Sequence, residues 1–166
     1  MHRSLALLAL LALLTQSALA LDSLQEPAKT CPMKTLKDGK DLTLESLKGK
    51  VVYLDFWASW CGPCALSFPF MMETAKKHKA EGLELVAISV DETREEAEAF
   101  LSSHPTNFKV VHDPQGECPK TYGLETMPTS YLIDRKGNLR QVHRGFSNSD
   151  RGTLDKAIVE LLAEKP

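Results

Sequence analysis

The chain opens with an apolar block unlike anything after it. Met1-His2-Arg3 is a short basic start, Leu5 to Leu14 holds only Leu and Ala, and polar Thr15-Gln16-Ser17 leads to Ala18-Leu19-Ala20. A basic start, an apolar core and a small-residue A-x-A site form the layout of a secretory signal peptide. The core is too short to span a hydrocarbon layer, which takes about 20 residues. Export with cleavage after Ala20 is the expectation, and a membrane anchor that stays uncleaved is the alternative. No Cys follows Ala20, so a lipid-modified cysteine is not expected. Residues 21–30 are mostly polar, contain Pro27 and read as a flexible leader.

From residue 31 to 166 the pattern alternates between strand and helix. Asp38-Gly39 is a hairpin-turn signal between short segments around Lys34–Lys37 and Lys40–Thr43. Val51 to Trp57 is mostly apolar and rich in β-formers, as in a strand covered on both faces. A helix is predicted from Cys61-Gly62-Pro63 to about Ala80, with Pro63 suited to its first turn and Gly82 ending it. Leu83 to Val90 is a second buried strand. Thr93 caps a helix through about Ser102, with Glu95 and Glu96 in its first turn and a solvated acidic face. Phe108 to Val111 reads as an edge strand and Gly116 to Tyr122 as a short helix. Ser130 to Asp134 and Leu139 to His143 flank the turn Arg135-Lys136-Gly137-Asn138. Ser149 is the expected cap of a last helix, with Leu154, Ala157, Ile158, Leu161 and Leu162 at helical spacing. A β-α-β stretch followed by a hairpin and a helix predicts an α/β sandwich.

Composition narrows the function classes. A chain of 166 residues suits one domain. Lys and Arg total 20 against 22 for Asp and Glu, so the basic excess of a nucleic-acid binder is missing. With 43% hydrophobic and 25% charged residues the chain is globular rather than disordered. The five His show no metal-ligand spacing and read as surface or loop residues. Neither a metal nor an organic cofactor is expected.

The candidate chemistry lies in Trp60-Cys61-Gly62-Pro63-Cys64. Two Cys three apart at a helix start can bridge and unbridge with little backbone movement. The helix N-terminus offers unpaired N–H groups and a positive dipole end, which favour a thiolate at Cys61. Cys61 is the candidate nucleophile, and Cys64, one turn further in, the resolving thiol. The alternatives are a passive bridge or half of a zinc site. Zinc needs two more ligands, and Cys31 and Cys118 belong to no second C-x-x-C. Haem attachment needs His after Cys64, where Ala65 stands. Asp55 sits in the apolar strand, where burial raises a carboxyl pKa, and could take the Cys64 proton. Its bland alternative is a polar residue facing solvent.

Leu54-Asp55-Phe56-Trp57-Ala58-Ser59-Trp60-Cys61-Gly62-Pro63-Cys64 resembles the active-site segment of thioredoxin. Pro69 matches the proline that kinks the thioredoxin helix. Met127-Pro128-Thr129 matches the cis-proline segment, and Tyr131-Leu132-Ile133-Asp134 the strand after it. The β-α insertion between residues 83 and 122 and the export signal resemble the TlpA, ResA and DsbE groups of thiol:disulfide oxidoreductases. The likeness covers about residues 31–163. It implies a thioredoxin-like fold, a central mixed sheet flanked by helices with a β-α insertion and an N-terminal hairpin. It assigns Asp55 to proton transfer and makes the Met127–Pro128 bond cis, exposing the Met127 backbone beside Cys61. Trp60, Gly62, Pro63, Met127 and Pro128 are then the expected substrate contacts.

What the resemblance implies about activity is reduction of disulfide-containing protein substrates, since Gly-Pro stands where oxidising relatives carry a His-containing dipeptide. A membrane electron donor of thiol-reductase type, a monomer and no nucleic-acid partner are expected. The expected location is the periplasm or another exported compartment. In ResA and TlpA groups the strand acid is often Asn and an acid commonly lies three residues past the second Cys. Here those positions are Asp55 and Ser67, which counts against a specialised cytochrome-maturation role. A thiol peroxidase or a copper-handling module are the rival functions. For Cys31 and Cys118 two readings stand open, a structural bridge made possible by export or two free thiols.

Overall fold

The computed structural model describes residues 25–165. The expected export signal, its cleavage site and residues 21–24 lie outside the described residues. Three short strands, β1 (Glu26–Pro27), β2 (Met33–Lys34) and β3 (Asp41–Leu42), precede β4 (Val51–Trp57) and α1 (Gly62–His78). There follow β5 (Leu83–Ser89), α2 (Arg94–Ser103), β6 (Lys109–His112) and α3 (Glu117–Tyr122). The chain ends in β7 (Thr129–Ile133), β8 (Asn138–Arg144) and α4 (Arg151–Ala163). The main sheet has the order β1-β8-β7-β4-β5-β6, and β2 and β3 form a separate hairpin. β4, β5 and β6 are parallel, while β7, β8 and β1 join antiparallel in turn.

Side-chain alternation along β4 sorts the molecule into layers. Val51, Tyr53 and Trp57 share one core with Phe68 and Met71 of α1, Ala97 of α2, and Leu154 and Ile158 of α4. Val52, Leu54 and Phe56 share the opposite core with Met33 and Leu42 of the hairpin and Cys118 and Tyr122 of α3. All seven β4 residues are buried, which is why the strand reads as continuously apolar. Right-handed crossovers moving one way along a sheet put their helices on one face, and α1 and α2 obey this.

Local signals set several boundaries. Thr93 accepts from the Glu96 N–H while the Glu96 side chain takes the Thr93 N–H, a complete capping box. Gly82 follows α1 with φ 99°, and a Cβ there would lie 2.8 Å from the Arg135 guanidinium. That guanidinium donates to the carbonyls of Gly49, Glu81 and Leu162, tying three chain turns together. Within the segment read as a leader, Glu26 and Pro27 pair with Leu139 and Asn138 of β8. Proline is tolerated there because β1 is an edge strand.

Two local expectations are corrected. The last helix is opened by Ser147 rather than Ser149. Ser147 forms a capping box with Asp150 and starts a 3-10 turn, Asn148–Asp150, that runs into α4. Three residues beyond Ser149 stands Gly152, which has no side chain to complete such a box. His78 is not a surface residue. It is 2% exposed, with Nδ1 2.8 Å from Glu81 Oε1 and Nε2 3.1 Å from Asp155 Oδ1. Packing of α4 over the last turn of α1 buries it between the two carboxylates.

Candidate active site

The end of β4 hands the chain to α1 through Ala58-Ser59-Trp60. Cys61 is the N-cap of α1, extended at φ −89° and ψ 98°, and Pro63 lies in the first turn. Cys61 and Cys64 are joined by a disulfide with S–S 2.02 Å. Cys61 keeps 7% exposure and Cys64 none, so an incoming group reaches Cys61 first. As N-cap, Cys61 stands at the positive end of the α1 dipole, the setting that favours a thiolate once the bond is reduced. Pro69 cannot donate to the preceding turn and sits inside α1.

A buried carboxylate absent from the sequence reading holds this loop. Asp91, fully buried just past β5, accepts from the Ser59 N–H at 2.9 Å, the Ser59 hydroxyl at 2.7 Å and the Ser89 hydroxyl at 2.7 Å. It fastens the segment before Cys61 to the start of the β-α insertion. An acid directly after a buried apolar strand was the only signal available for it.

Asp55 is fully buried in mid-strand. It alternates with Tyr53 and Trp57 and so lies on the α1 side of the sheet, in the layer that contains Cys61 and Cys64. Burial pushes its carboxyl up to about 7, against the pull of the Ser130 hydroxyl, which donates to Oδ1 at 2.6 Å. Its other oxygen, Oδ2, is buried without a hydrogen-bond partner. A carboxyl poised near 7 can accept or return a proton at neutral pH.

A cavity of about 450 Å³ opens over the disulfide. Trp60, Cys61, Gly62 and Pro63 line one side and Leu124, Glu125, Thr126 and Met127 the other. The Met127–Pro128 peptide bond is cis. The Pro128 carbonyl accepts from the Gly145 N–H, and the Thr129 hydroxyl donates to the Thr126 carbonyl. Trp60 is 68% exposed, an apolar surface at the rim. The expected contacts Trp60, Gly62, Pro63 and Met127 therefore meet around one groove, with Pro128 buried behind it.

The Redoxin family model matches residues 24–158. This chain belongs to the Redoxin family. Thiol-disulfide oxidoreductase ResA of Bacillus thuringiensis subsp. konkukian (strain 97-27) is 39% identical over 114 residues, 69% of this chain and 66% of that protein. ResA of Bacillus subtilis (strain 168) is 38% identical over 108 residues, 65% of this chain and 60% of that protein. The chain thus spans 60% to 66% of the length of these curated relatives. A crystal structure from Chlorobium tepidum, provisionally named thiol:disulfide interchange protein DsbE, matches with TM-score 0.81 at 41% identity. That match covers 85% of this chain and 99% of the other. The thioredoxin-like fold expected from the sequence stands on this likeness and on the mixed sheet described above.

In this Redoxin-family chain the remaining cysteines lie on the sheet face away from α1. Cys31 and Cys118 are joined by a disulfide, S–S 2.09 Å and Cα–Cα 5.2 Å. Nearby, the Tyr122 hydroxyl donates to the Lys29 carbonyl at 2.7 Å. Both links anchor α3, whose end at Gly123 runs directly into the Leu124–Met127 wall of the groove.

Proposed function

We propose that this chain is an exported thiol:disulfide oxidoreductase that reduces disulfide-containing proteins. The observation that carries the reading is the Cys61–Cys64 pair at the α1 N-terminus, opening on a groove and backed by the buried Asp55. The Cys61 thiolate attacks one sulfur of the substrate disulfide and expels the other as a thiolate, leaving a mixed disulfide. The Cys64 thiol gives its proton to Asp55 and attacks Cys61 Sγ. The second substrate thiolate leaves, and the two electrons given to the substrate have come from the dithiol, now the Cys61–Cys64 disulfide. An outside dithiol, from a membrane donor of thiol-reductase type, returns the pair to the reduced form.

Several features support the reading. The Gly62-Pro63 dipeptide lacks the His that further stabilises the attacking thiolate and makes the disulfide more oxidising. An extended substrate would lie between Trp60, Gly62 and Pro63 on one side and Met127 with Pro128 on the other, pairing with the exposed backbone at Met127. Export, with cleavage after Ala20, fits the signal pattern and a second disulfide. No described helix is long and apolar enough to cross a membrane. The working form is proposed to be a monomer.

Trapping decides the assignment. Cys64→Ser in the native compartment should accumulate a mixed disulfide through Cys61, and Cys61→Ser should accumulate none. The reverse pattern would make Cys64 the nucleophile, and no adduct from either variant would remove disulfide exchange as the activity.

A further inference from the structure

The two oxygens of Asp55 meet different surroundings. Oδ1 accepts from the Ser130 hydroxyl at 2.6 Å, while Oδ2 is buried and unpartnered. Ser130 Oγ also lies 2.7 Å from the Tyr53 hydroxyl. A serine hydroxyl has one proton to give, and a carboxylate is the stronger acceptor of the two neighbours. Ser130 therefore donates to Asp55, and Tyr53 donates to Ser130. Tyr53 and Asp55 are wholly buried and Ser130 is 3% exposed, so the chain of hydroxyls is withdrawn from bulk solvent. The backbone fixes it. Tyr53 stands two residues before Asp55 on one face of β4, and Ser130 is the register partner of Asp55 on β7.

Asp55 shares its face of the sheet with its strand partners and the buried layer on the α1 side. On β5 its register partner is Ala87. From α1 come Cys61 and Cys64, with Ser67 turned back to donate to the Cys64 carbonyl at 2.8 Å. From α4 come Leu154 and Ile158. On β8 His143 is the partner of Ser130, with Nε2 3.8 Å from Asp150 Oδ2. Among these, only Tyr53 and Ser130 belong to a hydrogen-bonded chain ending on the carboxylate.

We propose that Ser130 and Tyr53 are positioning residues for Asp55, holding Oδ1 in the sheet and leaving Oδ2 as the single proton-accepting atom on the α1 side. The inference deepens the function proposed above and rests on the Asp55 step in it. The proton moves from Cys64 Sγ to Asp55 Oδ2, and Ser130 and Tyr53 keep their own. Both hydroxyls point their protons toward the carboxylate and favour its charged form against burial. Without them Asp55 stays protonated to higher pH and is a poorer base near neutrality.

The test has two readouts. The first is the infrared titration of the Asp55 carboxyl in the oxidised protein, with its band identified by loss in Asp55→Asn. Ser130→Ala should move the midpoint up by about one to two pH units, the worth of a hydrogen bond to a charged group. Tyr53→Phe should move it the same way by less, and Ser130→Thr, which keeps the hydroxyl, should restore it. The second readout is the pH profile of insulin disulfide reduction, whose acid limb should move with the infrared midpoint. An unmoved midpoint in folded Ser130→Ala and Tyr53→Phe overturns the positioning role. A moved midpoint with an unmoved rate profile overturns the catalytic use of the chain and the Asp55 step with it. A moved midpoint in a protein inactive toward insulin supports the hydrogen-bond chain and overturns the reductase reading instead.

Discussion

Asp55→Asn should make stability less dependent on pH, because the native state carries a carboxyl it cannot easily ionise. The Asp55 pKa is about 7 in the folded protein against an ordinary 3.8. Between those values the folded state holds a proton that the unfolded chain has released, so stability falls as pH rises. The contribution is fully present below about pH 3.8 and is lost as pH climbs through about 7. At 1.36 kcal/mol per pH unit, the interval corresponds to about 4 kcal/mol. The residue is wholly buried, so solvent does not discount it. Asparagine carries no such titration. Its oxygen can take the Ser130 hydrogen bond, but its NH2 would put two unmet donor protons at the Oδ2 position where the protonated carboxyl has one, and the additional buried unmet donor costs about 1–3 kcal/mol. The variant should therefore be less stable than the parent at about pH 4 and more stable at about pH 8.5, with the sign reversing between about pH 4.5 and 6. Urea unfolding of the oxidised protein across this range measures it, with Cys61 and Cys64 kept out of the titration by their bond. A stability difference between variant and parent that stays constant within about 1 kcal/mol over the range would refute the reasoning.

Two further perturbations test what holds the site. The bond between Cys31 and Cys118, 87 residues apart, should contribute roughly 4–5 kcal/mol in the chain-entropy model. Urea unfolding of Cys31→Ala, Cys118→Ala and the double variant checks it: each single change should cost most of what the double costs, whereas additive costs would mean independent thiols. Asp91→Ala leaves the Ser59 N–H without its buried acceptor and should cost about 2–4 kcal/mol. The same variant should slow insulin disulfide reduction, and a folded Asp91→Ala protein of parental stability and rate would show that the loop is held otherwise.

Features that depend on neighbouring residues can be read directly along the chain. Two cysteines three apart with Pro63 between them mark a pair able to bridge at a helix start, because these parts lie within one turn. Thr93 and Glu96 form their capping box for the same reason. The apolar period of β4, β5 and α4 reports burial directly and placed those elements in the core. The expected export signal at residues 1–20 is also a local pattern, and it lies outside the described residues.

Which distant residues meet depends on how the sheet and helices come together. Asp91 holds Ser59 from 32 residues away, and Ser130 reaches Asp55 from 75. Nothing in Ser130 distinguishes it from any strand serine until antiparallel pairing of β7 with β4 puts it opposite Asp55. His78 reads as a solvent-facing histidine until α4 covers it and brings Asp155 to its ring. Cys31 and Cys118 stand close because the hairpin and α3 share the sheet face away from α1. A sequence pattern reports whether a side chain is withdrawn from water, since that depends on its own polarity and spacing. Which polar group it then meets depends on strand register and helix packing, and those are fixed only when the whole chain closes on its cores.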